Sequence, residues 1–82
     1  MPTWRYTLKL GDIFHDDAMP FEQKRDEIVR RIKAEKFWNP DNFELSDVME
    51  GLEQADDVPE FDEAWADFYD YADRERIWVE TF

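Results

Sequence analysis

Cysteine is absent from the chain, which excludes a disulfide framework and a thiolate zinc site. Glycine occurs only at Gly11 and Gly51, so no glycine-rich phosphate loop can form, and Walker, dinucleotide and kinase signatures are all missing. One histidine (His15) and one serine (Ser46) would have to supply any Ser–His–acid triad between them, and Ser46 is better explained as a helix cap. No apolar stretch approaches the roughly 20 residues needed to cross a bilayer. The opening Met1-Pro2-Thr3-Trp4-Arg5 lacks the charged-then-apolar layout of a secretion signal. These absences together predict a cytoplasmic protein that is not an enzyme, needs no cofactor or metal and does not meet a membrane.

Positive charge is the most informative shortage. Between Asp41 and Asp73 there are thirteen carboxylates and no Lys or Arg. From Asp41 onward the chain carries fifteen acidic and two basic residues, whereas Met1 to Pro40 carries seven and eight, and the net charge is −12. Such a field repels nucleic acid and acidic membrane and attracts basic protein surfaces.

What the chain does possess is aromatic mass. Four Trp, seven Phe and three Tyr make up 17% of its 82 residues. Each ring buries roughly 150–250 Å² when well packed, which compensates for the small size and argues against disorder. One globular domain spanning residues 1–82 is expected.

Hydrophobic periodicity predicts the order strand, helix, helix, helix, strand. Trp4, Tyr6, Leu8 and Leu10 alternate with Arg5, Thr7 and Lys9, a period of two. From Pro20 to about Lys36, Phe21, Arg25, Ile28 and Ile32 fall on one helical stripe, with Val29 beside it. A second helix runs from Phe43 or Ser46 to Ala55, capped by Ser46, with Leu45, Val48, Met49 and Leu52 on its apolar side. A third extends from Pro59 to about Asp73, burying Phe61, Ala64, Trp65, Phe68 and Ala72 and leaving Tyr69 and Tyr71 off that face. Ile77, Val79 and Thr81 then alternate in a closing strand. The fold class is α+β: the two short terminal strands pair as a ribbon against three helices. Antiparallel pairing is favoured by base rate, although up-and-down helix packing argues for parallel. A two-stranded ribbon has open edges, which leaves homodimerisation as an option.

Candidate chemistry is sparse. His15-Asp16-Asp17 offers three ligand types in a row, but adjacent side chains point to opposite sides of an extended chain, so a solvated loop is the better reading. Asp41-Asn42-Phe43-Glu44 lacks the alternation and central glycine of a calcium loop. Phe37, Trp38 and Phe43 bracket the central loop and are assigned to the core ahead of an interface role. On the third helix Glu60, Glu63, Asp67 and Asp70 align at spacings of three, four and three. Asp47, Glu50 and either Glu53 or Asp57 form a similar row on the second, and Asp56 and Asp57 connect the two. Ordinary exposed faces mix both signs, gaining roughly 0.2–0.5 kcal/mol per pair, whereas like charges about 5 Å apart cost about 0.8 kcal/mol even in water. Mutual repulsion among these groups predicts a fold that is firmer at low than at high pH, and firmer with added salt.

Three segments carry a resemblance. Trp4-Arg5-Tyr6-Thr7-Leu8-Lys9-Leu10-Gly11-Asp12-Ile13-Phe14-His15, Phe21-Glu22-Gln23-Lys24-Arg25 and Ile77-Trp78-Val79-Glu80-Thr81-Phe82 resemble small acidic orphan proteins of actinobacterial phages. The resemblance covers both ends and rests on general pattern. It implies a compact accessory protein in the cytoplasm of an infected bacterium and supplies no activity or functional residues.

The expected function is a non-catalytic interaction protein. Its partner-binding surface would comprise Asp47, Glu50, Glu53, Asp56, Asp57, Glu60, Glu63, Asp67 and Asp70, docking on a basic patch of a host protein. The alternatives are a nucleic-acid mimic that blocks a DNA- or RNA-binding protein, and a homodimeric accessory protein. Direct nucleic-acid binding by the basic residues of the first helix is opposed by the net charge.

Overall fold

A computed structural model describes residues 3–82. Met1 and Pro2, on which part of the reading of the chain's opening rests, lie outside the described residues. The order is β1 (Tyr6–Lys9), α1 (Gly11–Phe14), α2 (Phe21–Lys33), α3 (Phe43–Glu53), α4 (Val58–Arg74) and β2 (Ile77–Glu80). The fold is α+β, and among the described residues it has four helices where three were expected. The extra one is the single turn α1, in a stretch read from sequence as a connector. Four residues are too few to show helical periodicity.

The strands pair in parallel, with Tyr6 opposite Ile77, Thr7 opposite Trp78, Leu8 opposite Val79 and Lys9 opposite Glu80. Antiparallel pairing is thereby corrected. Its physical origin is the count of long helices. Three of them, joined by short connections and packed in succession, bring the chain back travelling in its starting direction. Base rates for strand pairs are dominated by hairpins, and the described residues contain none.

The core is built as the periodicity requires. Leu8 from β1, Leu10 between β1 and α1, Ile28, Val29 and Ile32 from α2, Leu45, Met49 and Leu52 from α3, Phe61, Phe68 and Ala72 from α4, and Ile77 from β2 are all buried. Phe14, Phe21, Phe61, Trp65 and Phe68 form a chain of ring contacts with centroids 5.1–6.0 Å apart, linking α1, α2 and α4. Aromatic pairs of this kind add roughly 0.5–1.5 kcal/mol each beyond area burial, a substitute for the missing cross-links. Arg25, on the apolar stripe of α2, is held by a polar tie: its Nη1 donates to the Ala55 carbonyl at 2.8 Å.

Several residues depart from their expected places. Asn42 caps α3, accepting from the Leu45 N–H at 3.2 Å, and Ser46 lies inside the helix with its Oγ donating to the Pro40 carbonyl. Two cap-competent residues four apart are indistinguishable by pattern, and the helix starts at the earlier one. Phe43 is 88% exposed, so it is no core residue, while Phe37 and Trp38 pack against the core. Trp4 precedes the strand and lies in edge contact with Trp78, outside the buried stripe. Tyr71 is buried, at 5% exposure, although the helical wheel puts it at the margin of the α4 core stripe. Its hydroxyl accepts from Asn42 Nδ2 at 3.0 Å, and the fit of α4 against the α3 cap encloses it.

Candidate functional site

The acidic residues occupy two adjacent helices and the link between them. α3 and α4 pack together, and a Cβ placed on Gly51 would stand 3.5 Å from the Ala64 Cβ, in ordinary contact across the two helices. Around that contact the helical repeat fixes what faces outward. Asp47 lies one turn before Gly51, and Glu60 and Asp67 lie one turn either side of Ala64. Glu63 and Asp70 continue the α4 row toward solvent. Asp47, Glu50, Glu53, Asp56, Asp57, Glu60, Glu63, Asp67 and Asp70 are all exposed.

Local hydrogen bonding explains part of this cluster. Asp57 is the N-cap of α4, its Oδ1 accepting from the Glu60 N–H at 2.9 Å, and Glu60 Oε2 accepts from the Asp56 N–H at 2.9 Å. This reciprocal arrangement is a variant of the capping box, and Asp57-Val58-Pro59-Glu60 is a legible signature of it. Sequence reasoning assigned both residues to partner binding and missed the cap. Glu50 accepts from the Gln54 side-chain amide. These bonds orient carboxylates without neutralising them.

Cations reach the acidic run at only two points among the described residues: Lys33 pairs with Glu53, and Arg74 Nη2 with Glu44 at 2.9 Å. Of the nine residues expected to form the surface, Glu53 alone is therefore tied to the basic helix α2. Elsewhere that helix spends its charge within the first half of the molecule. Arg30 pairs with Glu27, Arg25 with Asp26, and Arg31 Nη2 with Asp12 Oδ2 at 2.7 Å. The Arg31 contact holds the Asp12 carboxyl below its ordinary value.

Loop candidates resolve simply. His15 follows α1 and is exposed, and Asp16 Oδ1 accepts from the Ala18 N–H, closing its own turn. Among the described residues no three His, Asp or Glu side chains are gathered as metal ligands, and no helix is long and apolar enough to cross a membrane.

Comparison of the chain with protein-family models, curated proteins and solved structures yields no match.

Proposed function

We propose that this protein is a non-catalytic interaction protein that presents the α3–α4 surface to a basic patch on another protein. The observation that supports this reading is the charge imbalance at that surface. Eight of the nine exposed carboxylates named above have no Lys or Arg within ion-pairing distance among the described residues. Leaving like charges unmixed costs about 0.8 kcal/mol for each pair about 5 Å apart in water. A basic partner would recover that cost on docking and would be drawn in at long range. In line with the resemblance to phage accessory proteins, the partner would belong to a bacterial host.

Affinity capture from a bacterial lysate is the test. Binding to a basic protein is expected at about 50 mM salt and should be largely lost near 300 mM, where screening shortens. It should also be lost in Glu63→Lys/Asp67→Lys, two exposed positions whose reversal leaves the core untouched. Recovery of no basic protein at low salt would eliminate the proposal.

A nucleic-acid mimic is the sharper version, favoured by the close packing of α3 on α4. One helical stripe supplies a charge every roughly 5 Å, against one per about 1.7 Å along duplex DNA. Two acidic helices side by side narrow that gap. The mimic competes with DNA for the captured protein; simultaneous binding of both would exclude it.

A further inference from the structure

Five cations have no carboxylate within ion-pairing distance among the described residues: Arg5, Lys9, Lys24, Lys36 and Arg76. Three of them gather at one end of the molecule. There the start of β1, the loop between α2 and α3, and the end of α4 enclose a cleft of about 340 Å³. Arg5 and Lys36 stand in its wall, and Arg76 joins Arg5 in the adjoining depression.

Four aromatic rings, with Asn39, Glu75 and Ile77, line the rest of the cleft. Tyr6, Phe37, Trp38 and Tyr71 line it, with Tyr6 and Phe37 in tilted contact at 5.6 Å. Tyr71 adds a polar feature. Its oxygen already accepts from Asn42 Nδ2, and its own hydrogen has no acceptor among the described residues, which leaves it available to a ligand. Burial keeps that phenol protonated well beyond neutral pH.

Negative potential is present at the same end. Glu75 also lines the cleft, and the carbonyl ends of α2 and α4 lie close by. Arg74 is occupied by Glu44. Arg5, Lys36 and Arg76 still outnumber Glu75. Screening over about 8 Å at physiological ionic strength also weakens the field of the more distant acidic rows.

We propose that this cleft binds a small aromatic oxyanion, a ring bearing either a phosphate ester or a carboxylate. The head group lies on Arg5, Lys36 and the Tyr71 hydroxyl, and the ring lies against Phe37 and Trp38. Arginine matches the planar or tetrahedral oxygen array of either group through paired N–H donors, and lysine adds a point charge. The volume falls at the lower end of ordinary small-molecule pockets, which suits a single substituted ring. The cleft is separate from the α3–α4 surface, so this inference does not depend on the proposed protein partner.

The test is a titration of the full chain at fixed ionic strength, followed through the Trp38 indole N–H in a ¹H–¹⁵N spectrum. Phenyl phosphate, phenylacetate and benzyl alcohol serve as probes. Saturable shifts at Trp38 are expected with phenyl phosphate, phenylacetate or both, and their relative Kd values tell which head group is preferred. Arg5→Gln and Lys36→Gln should each weaken binding about tenfold with unchanged melting temperature, and Tyr71→Phe should weaken it several-fold. Three results would overturn the proposal: no saturation by about 10 mM of either anion, equal binding of benzyl alcohol, or undiminished affinity in both Arg5→Gln and Lys36→Gln. The first would mean that these cations serve only to offset the two helix ends.

Discussion

Gly11 shows how a single residue can be fixed by space alone. A Cβ built there would lie 2.4 Å from the Phe82 backbone oxygen, so the Phe82 backbone would have to move to admit it. Gly11→Ala should therefore destabilise the fold by about 1–3 kcal/mol, as overpacking does, measured by urea denaturation. An unchanged midpoint would mean that Phe82 swings clear. Tyr71 carries a second residue-scale prediction. Burial raises its phenol above the ordinary value of 10.0, and Glu75 adds repulsion against the phenolate. Below that value the phenol is neutral folded and unfolded. As pH rises past it, the unfolded chain ionises first and stability is lost. The wild type should thus lose stability between about pH 9 and about pH 11 more steeply than Tyr71→Phe. Equal slopes would show that Tyr71 is not the group responsible.

Among the elements, α4 owes its start to Asp57 and Glu60. Asp57→Ala should cost about 1 kcal/mol through loss of the cap, whereas Asp57→Ser, which retains an acceptor, should recover most of it. Thermal unfolding of the two variants distinguishes capping from charge, because both remove the same negative group. If both were equally destabilised, or neither, the cap would not be what Asp57 supplies. The helices and strands themselves were legible from spacing, since Ile28, Ile32, Leu52, Phe61 and Phe68 fall on stripes wide enough to bury. Their ends were less so. Asn42 and Ser46 compete as caps on equal terms in sequence, and α1 is too short to show a period. Arg76 closes α4 in a left-handed conformation at φ 60, a position where glycine or asparagine is the usual signal.

At the scale of the whole molecule, charge is divided by place. Arg25, Arg30 and Arg31 of α2 pair within the first half of the chain and Lys33 reaches Glu53, which leaves the other eight named carboxylates of α3, α4 and their link without an ion-pair partner among the described residues, and Arg5, Lys36 and Arg76 gathered at another end. Repulsion within the acidic surface should make the fold less stable at low ionic strength, and salt raised from about 0.05 to about 0.5 M should stabilise it at neutral pH. Melting curves across that salt range are the check. Destabilisation by salt would show that the cations of α2 already balance the field. The acidic rows could be listed from spacing alone. That the helices carrying them lie side by side could not, because it depends on how α3 and α4 pack as whole elements.

The amino-acid order determined the helical stripes, the alternating strands, the aromatic core and the absence of cations between Asp41 and Asp73, all of which are properties of near neighbours along the chain. Tertiary structure decided the parallel strand direction, the burial of Tyr71 on Asn42, the pairing of Lys33 with Glu53 and the cleft around Arg5 and Lys36. Each of these joins residues from separate elements, and it is the packing of whole helices against one another that brings them within reach.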